Sequence, residues 1–368
     1  MKKLLTSLIA FLLLWGGTVW AHDDRDDGRG EVRRFVTLPD GVRFPEGITA
    51  NPANGDIYVS TFDSPPGNHP NKLLRYNRHG QLLAERDFAS DPLLGLEFDR
   101  NHNKVYITTV GDFSGSGSRI QRIDANFNGS TTIENVAMMP HIGAPLLPRQ
   151  VGNPDTSSDT ITFGDFASVP NALAWDSHGN LYVSDSFQGA IFRIDNVAGC
   201  TLPCVATPIS HDPLLATAGF PPFGANGLAV SGDGKALFVA NTGDDRVLKL
   251  DLTKPALSTD AVSVFAESIN GADGIVFDRL GRLWVCANQN DEVVALNANG
   301  RVVERLGSFQ GIGRHGAPRG LLFPASPVIV GDDMFVTNLA IPLTGTVGDE
   351  PEEDVTRWTV SRIELPGL

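Results

Sequence analysis

Four residues with side-chain oxygens stand at one place in a recurring phrase. Glu46 heads "EGITANPANGDIYVS", Asn171 heads "NALAWDSHGNLYVS", Asn226 heads "NGLAVSGDGKALFVA" and Asp273 heads "DGIVFDRLGRLWVCA". Two carboxylates and two amide carbonyls make an all-oxygen donor set carrying two negative charges, with no His or Cys among them. Such a set suits a hard cation, Ca²⁺ ahead of Mg²⁺, with water or a substrate completing the shell. The competing reading makes each Asn-Gly or Asp-Gly a turn dipeptide, and any one head taken alone is open to it. The tight turns, however, fall further along each phrase, at "SHGN", "GDGK" and "RLGR". The common register of all four heads favours one shared cation.

The phrases dictate the elements that must hold these residues. Aligned on the small residue after the head, six copies begin at Glu46-Gly47, Leu94-Gly95, Asn171-Ala172, Asn226-Gly227, Asp273-Gly274 and Arg319-Gly320, spaced by 48, 77, 55, 47 and 46 residues. A period near fifty with about four strands per copy marks propeller blades. In the fifth copy the strands are "GIVFD", "LWVCA", "EVVAL" and "VVERL", rich in β-branched residues and joined by Gly-bearing turns. The fold expected is all-β: a six-bladed β-propeller over residues 31–368. An open last blade leaves an unpaired edge, so "EVRRFVTL" (31–38) is expected to supply its fourth strand beside "RWTVSRIEL" (357–365). The first strand of every propeller blade lines the central channel, and all six run the same way. The heads therefore converge on one mouth.

Composition bounds the partners. The net charge of −14 becomes −16 without Lys2 and Lys3, which disfavours nucleic acid and anionic membranes. Residues 1–21 read as a signal peptide whose apolar run, about fifteen residues, falls short of the ~20 of a spanning helix. Residues 22–30, "HDDRDDGRG", read as a disordered leader. The mature protein is thus expected to be periplasmic or secreted, a monomer acting on a small molecule. In that compartment Cys200 and Cys204 are expected to form a local disulfide, whereas Cys286, within a strand, reads as a buried thiol.

The phrases "PEG", "PNALAWDSHGNLYVSDS", "ANGLAVSGDGKALFVANT" and "ADGIVFDRLGRLWVCAN" resemble the SMP-30/gluconolactonase/LRE-like family and, more distantly, the paraoxonases and strictosidine synthase. The resemblance implies a calcium or similar divalent ion held by Glu46, Asn171, Asn226 and Asp273, with Asp273 also serving as general base. It departs from the paraoxonases at Leu94, where they place a catalytic histidine. It departs again at Gly47 and Ala172, where they place aspartates for a second calcium, so one metal is expected. The reaction implied is hydrolysis of a lactone or ester, the cation polarising the carbonyl and Asp273 taking a proton from water. Asp185 and Asn241, at the ends of second strands, and Arg319, the sixth head, are candidate substrate-binding residues; each has a structural alternative, a backbone contact or an ion pair. The insert 139–169 is a candidate lid, and His141, His211 and His315 read as solvated loop histidines. A non-catalytic binding or scaffold propeller with a structural calcium stands as the alternative function, and a strictosidine-synthase-like enzyme as a third.

Overall fold

The computed structural model describes residues 30–64, 70–113 and 117–367. Residues 1–21, read as a signal peptide, and 22–29 of the segment read as a leader lie outside the described residues. Six four-stranded antiparallel sheets form a six-bladed propeller, and no α-helix occurs among the described residues. Each blade runs from an inner strand at the channel to an outer one. Blade one comprises Pro45–Ala50, Ile57–Thr61, Lys72–Tyr76 and Leu82–Asp87; blade two comprises Leu93–Asp99, Lys104–Thr109, Arg119–Asp124 and Glu134–Met138. Blade three comprises Pro170–Trp175, Leu181–Asp185, Ala190–Ile194 and Ala206–His211; blade four comprises Ala225–Val230, Ala236–Asn241, Arg246–Asp251 and Val262–Glu267. Blade five comprises Ala272–Phe277, Leu283–Ala287, Glu292–Leu296 and Val302–Leu306. Blade six takes Pro324–Val330, Asp333–Asn338 and Thr359–Glu364 from the C-terminal part and Val32–Thr37 from the N-terminal part. That last pairing closes the ring as the sequence required, with Val32 opposite Ile363 and Thr37 opposite Thr359.

The core lies between blades. Tyr58 and Leu73 of blade one pack against Leu93, Phe98 and Ile107 of blade two. Trp284 and Val293 of blade five pack against Met334 and Ile363 of blade six, with the free, buried Cys286 among them. Cys200 and Cys204 are disulfide-bonded with their Cα atoms 5.6 Å apart.

The glycine after each head is set by the closeness of neighbouring blades. A Cβ at Gly47 would lie 2.1 Å from the Leu94 carbonyl oxygen, at Gly95 2.3 Å from that of Asn171, and at Gly227 2.3 Å from that of Asp273. Those oxygens belong to the next blade's head, so the inner strands meet backbone to backbone. Hydroxyls on second strands tie the same atoms. Ser60 Oγ donates to Leu94 O at 2.6 Å, Thr108 Oγ1 to Asn171 O at 2.8 Å and Thr337 Oγ1 to Glu46 O at 2.7 Å.

The sixth copy departs from the sequence alignment. Pro318–Gly320, which contains Arg319, pairs with Phe309–Ile312 in a separate hairpin outside the blades. The inner strand of blade six starts at Pro324, and its register, with Pro324 opposite Asn338, puts Ala325 at the head. The Gly320 that mimicked the motif has φ +77° and serves the hairpin instead.

Candidate metal centre

The heads of the six inner strands are Glu46, Leu94, Asn171, Asn226, Asp273 and Ala325. Each follows a residue paired with the end of the second strand and precedes a bulge, so every inner strand carries its head at the same height. Glu46, Asn171, Asn226 and Asp273, drawn from four blades, all line one cavity of about 80 Å³. A single water needs only ~10–15 Å³, so the space holds a cation with several waters, or the reacting group of a substrate whose remainder extends outward.

A second ring of residues stands one position beyond the end of each second strand. In blades three, four and five these are Ser186, Thr242 and Asn288; in blades six, one and two they are Leu339, Phe62 and Val110. The polar three fix the heads. Asn171 Nδ2 donates to Ser186 Oγ at 3.0 Å, and that hydroxyl donates to Ala225 O at 2.7 Å. Asn226 Nδ2 donates to Thr242 Oγ1 at 2.9 Å, and Thr242 donates to Ala272 O at 2.8 Å. Each hydroxyl has its proton committed to a backbone carbonyl, so its oxygen must accept, and the amide must present nitrogen to it. The carbonyl Oδ1 of each asparagine is thereby left as the ligating end.

The carboxylates are buried and short of donors. Glu46 Oε2, Asp273 Oδ1 and Asn288 Oδ1 have no hydrogen-bond partner, while Asp273 Oδ2 accepts from Asn288 Nδ2 at 2.9 Å. Burial, and then the charge of Asp273, push the Glu46 carboxyl well above the usual range. Burial pushes Asp273 up to about 7 against the opposing hydrogen bonds of Asn288 and Asn226. Burial and both carboxylates also raise the Cys286 thiol beneath them, which keeps it inert. Unpaired buried acceptors and two mutually repelling carboxylates are what a divalent cation satisfies. The donor set fits one.

The candidate substrate residues lie elsewhere. Asp185 is fully buried: it accepts Ser168 Oγ at 2.6 Å, Gln188 Nε2 at 2.8 Å, and the backbone N–H groups of Val169 and Gln188 at 3.1 and 3.0 Å. Asn241 donates to Leu214 O and Ala216 O at 2.8 and 3.0 Å and accepts Asp244 N at 3.1 Å. Both brace loops, and neither lines the cavity. The channel-facing residues are the ones directly after them, Ser186 and Thr242, because successive strand residues point to opposite faces. Arg319 is exposed on its hairpin. The insert 139–169 forms a hairpin, Arg149–Gly152 with Ser158–Ile161, anchored by Arg149 on Asp244 at 2.7 Å. His141 pairs with Asp165 at 2.8 Å, and neither it, His211 nor His315 lines the cavity.

Residues 221–308 match the family model of the SMP-30/Gluconolactonase/LRE-like region. The matched stretch holds two of the four oxygen-bearing heads, Asn226 and Asp273, together with Thr242 and Asn288 of the second ring. No curated protein matches the chain. Among solved structures it is similar to a luciferin-regenerating enzyme, at 15% identity over 91% of this chain and 95% of that one, with a TM-score of 0.60. It is similar to regucalcin, a calcium-binding protein from Agrobacterium tumefaciens, at 15% identity over 89% and 94% of the two chains, TM-score 0.54. Virginiamycin B lyase from Staphylococcus aureus aligns at 13% identity over 90% and 99%, TM-score 0.51. At these identities the likeness is one of fold.

Proposed function

We propose that this protein is a divalent-cation-dependent hydrolase of a lactone or other carboxylic ester, with calcium as the cation. The observation that carries the reading is the pair of buried carboxylates, Glu46 and Asp273, each with an unpaired oxygen at the floor of a cavity able to admit the reacting group of a substrate. Glu46 Oε2, Asp273 Oδ1 and the Oδ1 atoms of Asn171 and Asn226 would hold the ion. When bound, it supplies a Lewis acid that polarises the ester carbonyl. Asp273, its carboxylate fixed by the Asn288 amide on Oδ2, would also take a proton from the attacking water. Water oxygen bonds to the carbonyl carbon, the carbon–alkoxide bond breaks, and the proton passes from Asp273 to the departing alkoxide. The apolar half of the second ring, Phe62, Val110 and Leu339, limits bulk water at the floor. The similarity to regucalcin and the matched family region support calcium and lactone chemistry. The signal-peptide reading of residues 1–21 supports export to the periplasm or beyond.

The test strips the protein with EDTA and assays it against a panel of lactones and esters, with and without restored Ca²⁺. Calcium-dependent turnover of at least one substrate is expected. Equal inactivity in both states overturns the reading.

A further inference from the structure

The polar side chains that line the cavity stand at its floor, and the side chains of its walls are hydrocarbon. Phe62, Phe223, Phe323, Leu339, Ile341 and Leu343 enclose the space above the floor. The rings continue outward: Phe62 and Phe223 have centroids 6.3 Å apart, Phe223 and Phe187 5.5 Å, and Phe187 and Phe166 6.5 Å. Phe166, on the 139–169 insert, is 49% exposed, so an aromatic track leads from the surface to the floor. Ile341 and Leu343 are held over the cavity by Glu350, whose Oε2 accepts the N–H groups of Leu343 and Thr344 at 2.8 and 2.9 Å. Asp349 accepts the Thr344 hydroxyl and Glu353 the Gly348 N–H, which shape the loop that presents those two side chains.

We propose that this cavity selects an alkyl or aromatic carboxylic ester or lactone and rejects a polyhydroxylated one. The floor's donors are largely engaged. One N–H of Asn171 bonds Ser186, one of Asn226 bonds Thr242 and one of Asn288 bonds Asp273, while both hydroxyl protons go to backbone carbonyls. Above the floor a polyol loses its hydrogen bonds to water and meets phenyl and aliphatic surface, and each unpaired hydroxyl weakens binding. An alkyl chain gains about fourfold in affinity for every methylene withdrawn from water. The preference rests on the hydrolytic reading for what becomes of the bound ester, but the selection itself is a property of the walls.

The test is calorimetric titration of the calcium-loaded protein with straight-chain carboxylates from butanoate to octanoate, with phenylacetate and with gluconate, each a product-type ligand needing no turnover. Affinity rising about two- to fourfold per methylene with a negative heat-capacity change, and no measurable binding of gluconate, is expected. Ile341→Asn, a partly exposed loop position, should flatten the chain-length series while leaving calcium affinity in place. Leu343→Gln repeats the comparison if the first variant does not fold. Gluconate bound as tightly as the alkyl acids, or a flat series in the parent protein, overturns the proposal. A rising series in a protein that hydrolyses nothing overturns the hydrolase and keeps the selection. Turnover that favours sugar lactones does the reverse.

Discussion

Glu46→Gln separates the cation site from every other account of the floor. The change keeps shape and removes one of two buried charges. In metal-free protein Glu46 and Asp273 stand together out of water; burial makes both harder to ionise, and the Asp273 charge adds to that at Glu46. Removing one charge relieves that repulsion, so the metal-free variant should be more stable than the parent by about 1–3 kcal/mol, the scale on which unpaired buried charge is felt. Calcium reverses the order. A ligand at one hundred times its dissociation constant stabilises the fold it binds by about 2.7 kcal/mol, which is several degrees of melting temperature in a domain of this size. The amide keeps an oxygen but loses the attraction of its charge, and affinity should fall at least ~100-fold, on the order of 3 kcal/mol. The assay is thermal unfolding by circular dichroism in EDTA and through a CaCl₂ titration, with calorimetric affinities for both proteins. The two stability curves should cross, variant above parent in EDTA and parent above variant in calcium. An equal calcium-induced shift in both proteins, or a variant less stable than the parent in EDTA, refutes the shared-ligand geometry.

Two further substitutions probe the ring that carries the site. Among the described residues Glu97 is the one charged residue lining the other end of the channel, beside Thr49, Ala174, Ala229, Val276 and Val328, and burial pushes its carboxyl up to about 8 from the usual 4.5. The folded state holds that proton more tightly than the unfolded one, so its contribution is fully present below pH 4.5 and is lost as pH rises through 8. At about 1.4 kcal/mol per pH unit the ceiling is about 5 kcal/mol. Channel water reaches part of the side chain and reduces this to about 2–3 kcal/mol. Glu97→Gln should therefore match the parent at pH 4 and exceed it at pH 9 in urea unfolding, and identical pH profiles would dismiss the assignment. Gly227→Ala would place a Cβ 2.3 Å from Asp273 O and 2.9 Å from Gly274 Cα, both backbone atoms unable to rotate away. A loss of about 2–3 kcal/mol and weakened calcium binding are expected, whereas Gly232→Ala, with nothing within 4 Å of its Cβ, should be silent. Equal melting temperatures for the two variants would contradict the close packing of the inner strands.

Most of the fold was legible because a propeller repeats its grammar. The four strands of blade five fall within two residues of their sequence assignment, and the N-terminal strand closes blade six as an unpaired edge demanded. The sixth head was misread because Arg319-Gly320 imitates the motif in a hairpin, where glycine serves a positive φ and not a close neighbour. Ala325 lacks both the polar head and the glycine, so blade six left no local signal. Asp185 and Asn241 failed by one residue. Their polarity attracted the assignment, but strand alternation turns them into the blade and brings Ser186 and Thr242 to the channel. The same step along blade five leads from Ala287 to Asn288, so the position after each second strand, compared across blades, was the signal that would have found the second ring.

That second ring ties the ligands to the architecture. Ser186 and Thr242 each bond at once to an asparagine head and to the next blade's backbone, through one oxygen. The blade-to-blade contact therefore dictates which end of each amide faces the cavity. Were the hydroxyls free to turn, Asn171 and Asn226 would be as ready to present nitrogen, and a cation would meet two donors in place of two acceptors. Glu46 is bound into the same ring from the other side, its backbone oxygen held by Thr337 of blade six. Closure by the N-terminal strand keeps blade six, and with it Glu46, at the height of the other heads. A loosened ring should thus lose cation affinity before it loses secondary structure, because the ligands come from four blades and no single blade contains a site.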